Sequence, residues 1–373
     1  MRLLDRYLIR ELLIPLAFCL GGFLIFWISA DAFNNLAEFQ EARLRPMDIL
    51  EYYLVMTPEF VVAILPIVLL LALLYTLTHH SRHNEITAMR AAGVSLWRIC
   101  VPYLAVGLLA SVVLFGLNEG CVPRGAEWAD RIKTRYVQRP GDAGKQAQFH
   151  NFGFTNMRDH RIWFFTEYHV QTSEMLTPKV RWTLPDGWSR LLVADRAIRT
   201  NGVWTFFNAT EYTRENTNAD LVPLLQSNVL AMPEFKETPM EIQSEVEISR
   251  YLNLGGTKKA NIPLVDIWNY LRSYPDLPHD DSCRLLTKLH DRLASPWTCM
   301  VVVLIAIPFG AASGRRNVFF GVAGSIFVCF AYFVIQQVSL ALGTSGHLPP
   351  WLAAWLPNLI FGATGVVLTT RMR

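Results

Sequence analysis

The chain has 373 residues, 52% of them hydrophobic and 17% charged, with a net charge of +3. That balance is too apolar for an ordinary soluble protein and fits a polytopic membrane protein with a sizeable water-exposed part. The small net charge gives no reason to expect nucleic acid as a partner. Four of the six cysteines (Cys19, Cys100, Cys299, Cys329) lie in apolar runs and no Cys-x-x-Cys occurs, which argues against a disulfide framework or a cysteine metal site.

In chain order, the N-terminus opens with basic residues and runs into an apolar stretch without an Ala-x-Ala cleavage site, so a retained first span is expected. A span needs about 20 mostly apolar residues. Six segments qualify: Leu12–Ala30, Val55–Leu77, Ile99–Leu117, Ala294–Ala312, Val318–Leu342 and Pro350–Thr370. Basic residues cluster at Arg2, Arg6 and Arg10, at Arg82, Arg90 and Arg98, at Arg315 and Arg316, and at Arg371 and Arg373. All four clusters fall on one side if both termini are cytoplasmic. The opposite short loops carry Asp31, Glu38, Glu41 and Asp48, or no charge at all between Gly343 and Pro349. The positive-inside rule then places residues from about Asn118 to Arg292 outside the cytoplasm. The expected fold class is an α-helical integral membrane protein with six transmembrane helices, three before and three after a large inserted external domain.

Between the second and third spans, Arg82–Arg98 reads as a short polar helix facing the cytoplasm. Asn84 can cap its start, and Glu85 then sits where the helix dipole favours negative charge. Ala88, Ala91, Ala92 and Gly93 keep part of its surface low enough for another protein to approach, and Gly93 suits a helix end. Glu85 reads equally as a local partner of Arg82, and Arg90 as one more positive-inside residue. His79, His80 and His83 read as a solvated interfacial face.

Residues 124–250 read as β-structure. Arg161–Val170 is rich in aromatic and β-branched residues, and Leu191–Ile198 and Val203–Thr213 flank Asn201-Gly202, a strong hairpin signal. Short strands broken by Pro and Gly suggest a sandwich or jelly-roll-like barrel. Asn208-Ala-Thr matches a glycosylation sequon but is read as strand-edge polarity. Pro263–Tyr274 and Asp281–Leu293 look helical and lead into the fourth span.

No catalytic constellation or metal site stands out. G-x-x-x-x-G-K-[ST] and G-x-S-x-G are both absent, so the chain is expected not to be an enzyme and to hydrolyse no nucleotide itself. Arg124, Arg131, Lys133 and Arg135 crowd outside the third span, where they suit lipid-headgroup phosphates or a solvated helix extension. Glu59, between Pro58 and Pro66 in the second span, is an intramembrane polar candidate.

Several segments together resemble the LptF/LptG permeases, the membrane subunits of the bacterial lipopolysaccharide export transporter. They are Leu4-Asp5-Arg6-Tyr7 with Glu11, Asn84-Glu85-Ile86-Thr87-Ala88-Met89-Arg90-Ala91-Ala92-Gly93-Val94-Ser95, Asn118-Glu119 with Pro123, Leu289-His290-Asp291-Arg292-Leu293-Ala294-Ser295-Pro296, Leu348-Pro349-Pro350, and Trp355-Leu356-Pro357-Asn358. The resemblance covers nearly the whole chain in order, and Leu4–Tyr7 leans slightly toward the LptG-like type. It implies a permease subunit that extracts lipopolysaccharide from the inner membrane and passes it to a periplasmic bridge. A dimeric cytoplasmic ABC ATPase would dock on a coupling helix at 84–94 through Glu85, Ala88, Arg90 and Gly93. The other implied partners are a second LptF/LptG-type permease, the periplasmic bridge protein and a single-span accessory subunit. No cofactor is bound by this chain; ATP and Mg²⁺ belong to the ATPase.

On that reading residues 1–123 hold spans one to three, 124–260 the periplasmic jellyroll, 261–293 a helical connector and 294–373 spans four to six. Burying CH₂ groups is worth about 0.8 kcal/mol each, so an acyl chain of about a dozen carbons resists extraction by roughly 10 kcal/mol. An external motor is therefore needed. The competing readings are a non-transporting scaffold or assembly factor whose β-domain binds a periplasmic partner, and a lipid-modifying enzyme. The enzyme would need a convergent His, Asp or Glu set, which is absent near either interface.

Overall fold

The computed structural model describes residues 3–134, 148–156, 159, 161–169, 172–184, 188–200, 202–214, 222–253, 262–275, 277–310 and 318–371. The chain divides into two compact units, one made of Met1–Glu38, Ile49–Ala126 and Pro278–Arg373, the other of Phe39–Asp48 and Glu127–Leu277.

The first unit is helical. Six helical stretches are long and apolar enough to cross a membrane: Leu3–Asn34, Pro46–Arg82, Leu96–Gly125, His279–Gly310, Ile326–Thr344 and Pro350–Arg371. They comprise α1 (Leu3–Asn34), α3 (Pro46–Arg82), α5 (Leu96–Gly116), α9 (His279–Ala294), α10 (Thr298–Gly310), α11 (Val318–Thr344) and α12 (Pro350–Arg371). α5 passes through a π-helical turn at Leu117–Cys121 into α6 (Val122–Thr134), and α9 joins α10 through a 3₁₀ turn at Ser295–Trp297. Two short helices, α2 (Leu36–Glu41) and α4 (Glu85–Ala91), follow the first and second spans.

α10 is the central element of this unit, buried along most of its length. Neighbouring backbones meet it through glycines. A Cβ on Gly107 of α5 would lie 2.8 Å from Val303 Cγ2, and one on Gly365 of α12 would lie 2.9 Å from the Leu304 carbonyl. A Cβ on Gly310 itself would lie 2.6 Å from Leu77 Cβ of α3. The Leu304 contact is with backbone and cannot yield by a rotamer change. Gly365→Val is therefore expected to lower stability by about 1–3 kcal/mol through overpacking, read as a lower melting temperature of the detergent-solubilised chain. An unchanged melt would mean that α12 shifts freely on α10.

Several polar side chains inside the bundle are paired, which lowers the cost of burying them in apolar surroundings. Asn358 Nδ2 donates to the Ala294 carbonyl at 2.8 Å, Tyr332 Oη donates to Asn358 Oδ1 at 2.7 Å, and the Thr298 hydroxyl lies 2.8 Å from Tyr332 Oη. This network ties α11 and α12 to the turn between α9 and α10. Arg292 Nη1 of α9 lies 2.8 Å from Glu119 Oε1 in the π-helical turn, and the arginine is buried.

The second unit contains one antiparallel sheet curled around an aromatic core, a jellyroll-like fold. Its strands are β1 (Gln148–Asn156), β2 (Arg161–His169), β3 (Glu174–Leu176), β4 (Lys179–Thr183), β5 (Ser189–Val193), β6 (Arg196–Thr200), β7 (Val203–Arg214) and β8 (Val222–Met232). β2 pairs β1 along one side and β3 and β4 along the other. β7 pairs β5 and β6 along one side and β8 along the other. β3 pairs β6 and β4 pairs β5, which joins the halves.

The segment read as one strand over Leu191–Ile198 is two, broken at Ala194-Asp195. The break faces another at Thr177-Pro178, and the two exchange bonds: Thr177 N donates to Asp195 O at 2.8 Å, and Ala194 N to Pro178 O at 3.0 Å. Across the sheet Asn208 has φ +51° and its Nδ2 donates to Asp195 Oδ2 at 3.0 Å. β7 consequently changes phase there, burying Trp204 and Phe206 before it and Ala209 and Glu211 after it. The β6–β7 hairpin has Thr200 opposite Val203, with Gly202 between them at φ +84°.

The β-reading of residues 124–250 is wrong at both ends. Val122–Thr134 is α6, whose buried Val122, Ala129 and Ile132 follow a helical spacing. Pro239–Asn253 is α7, opened by a reciprocal capping box in which Thr238 N donates to Glu241 Oε2 at 2.7 Å and Glu241 N to Thr238 Oγ1 at 3.2 Å. α8 (Leu264–Ser273) completes the unit. The core is Trp163, Phe165, Tyr168, Met175, Trp204, Phe206 and Phe235, with Ile242 and Val246 of α7 packed into it.

Candidate functional site: the short helix between the second and third spans

α4 is held between two turns that its flanking residues dictate. The side chain of Asn84 does not cap it as expected. The residue stands at the N-cap at φ +57°, where its carbonyl accepts from Ala88 N at 2.9 Å and its N–H donates back to Ser81 O at 3.1 Å, but its side chain makes no cap bond. Asparagine tolerates this left-handed conformation better than most residues. Gly93, at φ +85°, ends α4. Gly93 N donates to Arg90 O at 3.0 Å and Val94 N to Met89 O at 3.1 Å, the two bonds of a Schellman motif. Ser95 then accepts from Arg98 N at 3.3 Å and starts α5.

The faces of α4 differ. Ile86 is buried, and Met89 and Val94 pack on the core formed by Leu8, Leu12, Leu77 and Ile99. Thr87, Ala88, Arg90, Ala91, Ala92 and Gly93 are exposed. The exposed face is low and carries one cation, a shape another helix-binding protein can cover.

Glu85 lies on the border between these faces, its side chain 32% exposed. Its partner is not Arg82. Tyr7 Oη of α1 donates to Glu85 Oε2 at 3.0 Å, and His80 Nδ1 of α3 lies 2.6 Å from the same oxygen. Burial alone would raise the carboxyl pKa, but these two hydrogen bonds and the histidine's charge outweigh it and hold it below the ordinary value. The attachment gains stability from the carboxylate above the ordinary glutamate range and loses it only as pH falls through the lowered value. An ionised carboxylate only accepts, so His80 Nδ1 carries the shared proton. His80 is fully buried, against the expectation of a solvated histidine face. His79 and His83 do form a ring pair nearer solvent, with centroids 4.3 Å apart.

Two further bonds fasten α1 at this end. Arg98 Nη2 donates to Asp5 Oδ2 at 2.9 Å, and Thr76 Oγ1 to Glu11 O at 3.2 Å. α1 is thus tied to α3, α4 and α5 within its first three turns.

The remaining candidates are dispersed. Arg124 is exposed on α6, and Lys133 on the same helix lies 5.9 Å from the Phe39 ring centroid. Arg131 also belongs to α6, and Arg135 lies outside the described residues. Glu59 is half-buried in α3 beside Pro58.

The model of the lipopolysaccharide export system permease LptF/LptG matches residues 6–371. The chain belongs to the LptF/LptG family. Among curated relatives, the lipopolysaccharide export system permease protein LptF of Escherichia coli (strain K12) is 22% identical over 318 residues, which span 83% of this chain and 79% of that protein. The protein of the same name from Shigella flexneri matches to the same extent. This LptF/LptG chain is accordingly a multi-pass membrane protein of the bacterial inner membrane, a permease subunit of lipopolysaccharide transport. The segments that carry the resemblance also bond to one another: Tyr7 to Glu85, Glu119 to Arg292, and Asn358 to Ala294.

Proposed function

We propose that the chain is the permease subunit of an ABC transporter that extracts lipopolysaccharide and passes it to a periplasmic bridge, driven by a separate dimeric cytoplasmic ATPase. The observation that carries the reading is α4, a short helix packed inward through Ile86 and presenting Ala88 and Arg90 to solvent, in a chain that matches the family over nearly its full length. The ATPase docks on this helix, with Ala88, Arg90 and Gly93 at its centre and Glu85 at its rim; the bonds from Tyr7 and His80 both fall on Oε2, which leaves Oε1 for the partner. ATP and Mg²⁺ act in that partner, and this chain needs no cofactor.

Both termini are cytoplasmic and the jellyroll-like domain is periplasmic, as the arginine clusters at each end favour. A second LptF/LptG-type permease completes the lipid cavity, and the bridge protein and a single-span accessory subunit receive the lipid. Arg124, Arg131, Lys133 and Arg135 contact headgroup phosphates on the outer side. Glu59 contributes a polar group to the cavity wall.

The test is affinity purification from native membranes. The wild-type chain is expected to bring an ABC ATPase with it, and Arg90→Glu and Glu85→Ala to lose most of it. A wild-type preparation with no ATPase would favour a scaffold instead.

A further inference from the structure

We infer that Tyr7 and His80 are positioning residues that act through Glu85, joining the coupling helix to the first and second spans so that a push on α4 moves those spans with it. The inference rests on the functional reading above and adds the route by which the motor's motion enters the membrane.

The geometry is specific. α4 has seven residues and one fully buried apolar anchor, Ile86. A helix that short holds its place only through tertiary contacts. Its polar attachment is the Glu85 carboxylate, whose Oε2 takes bonds from two different spans, Tyr7 of α1 at 3.0 Å and His80 of α3 at 2.6 Å. The two donors are themselves in contact, with ring centroids 5.7 Å apart. Tyr7, Glu85 and His80 therefore form a closed triangle across three helices.

His80 is a costly residue to bury here. It is fully enclosed, and its Nε2 has no hydrogen-bond partner among the described residues. A leucine would fill the site without that cost, so the ring is explained by the one bond it makes, to Glu85. The surrounding bonds extend the body: Arg98 to Asp5 adds α5, and Thr76 to the Glu11 carbonyl locks α1 against α3 one turn further in. Packing alone lets a short helix slide, because apolar contacts are non-directional. Two charge-assisted bonds on one oxygen fix both position and direction.

The experiment uses the reconstituted complex of this chain with its partner permease and ATPase. Its readout is the ratio of lipid released to ATP hydrolysed, beside ATPase co-purification. Tyr7→Phe removes one hydroxyl from a residue that is 41% exposed, so it is the variant least able to disturb folding. His80→Leu removes the second donor at similar volume, and His80→Asn places an amide donor where ring Nδ1 stands.

The expected result is that Tyr7→Phe and His80→Leu keep the ATPase bound and hydrolysing, while lipid released per ATP falls by about tenfold in the double variant. His80→Asn is expected to restore most of the ratio. A double variant with a wild-type ratio overturns the inference. So does loss of ATPase binding, which would make the two residues mere supports of the docking face. A wild-type complex that recruits no ATPase overturns the functional reading as well, and that outcome is seen before any variant is made.

Discussion

Glu237→Ala is expected to destabilise the β-domain by about 3–5 kcal/mol, the usual cost of stripping one partner from a buried charge cluster. The Glu237 side chain is 4% exposed and its Oε1 receives Asn156 Nδ2 at 2.9 Å, Arg161 Nη1 at 3.1 Å and Trp163 Nε1 at 3.3 Å. Its backbone carbonyl accepts from Trp204 Nε1 at 2.9 Å. Removing the carboxylate leaves the Arg161 guanidinium, stacked 4.6 Å from the Phe235 ring centroid, with only the longer 3.6 Å contact to Asp159 Oδ2. The alanine variant keeps the carbonyl bond to Trp204 but strips the Trp163 indole and the Asn156 amide, both buried in the core, of the carboxylate acceptor. A loss of that size consumes much of a typical domain's stability. Limited proteolysis and thermal melting of the solubilised chain read it directly. Glu237→Gln keeps an acceptor and should fall between the two; a Glu237→Ala melt equal to wild type would contradict the account.

Arg292→Met is expected to cost a similar 3–5 kcal/mol in the helical unit. Arg292 is buried, and Glu119 is the carboxylate on which its Nη1 rests at 2.8 Å. The pair links α9 to the π-helical turn at the end of α5, a local widening that turns Glu119 out of the ordinary helical register. With Arg292 gone the carboxylate faces an apolar bundle with its main counter-charge missing. The Arg292→Met/Glu119→Gln double variant removes both charges and is expected to recover most of the loss. The coupling energy in this double-mutant cycle, measured from melting in detergent, is the number that decides. If the double variant is as unstable as the sum of the singles, the pair is not what holds these helices.

Composition and charge placement made the six-helix plan and the inserted domain legible, because lipid leaves a chain few ways to satisfy its backbone. The β6–β7 hairpin was legible for the same kind of local reason. The helix α7 was also written in the chain, as Thr238-x-x-Glu241, but the surrounding Pro and Gly breaks drew attention to strands instead. Asn84 illustrates a limit of residue type: it stands at the N-cap as expected, but at φ +57° its side chain makes no cap bond, and only the backbone conformation reveals that. The Glu85 attachment lay beyond sequence reach. Arg82 is its neighbour along the chain, whereas Tyr7 is 78 residues away, and the burial that makes His80 its partner depends on how α1, α3 and α4 pack. The six segments of the family pattern offered a hint, since several proved to be each other's contacts.

The close glycine approaches around α10 have a consequence for transport. Where an ideal Cβ would fall 2.6–2.9 Å from a neighbour, no gap the width of a methylene remains. The seams that α3, α5 and α12 make with α10 at these points are closed to an acyl chain. An apolar guest of that width finds no room between these helices where the glycines sit.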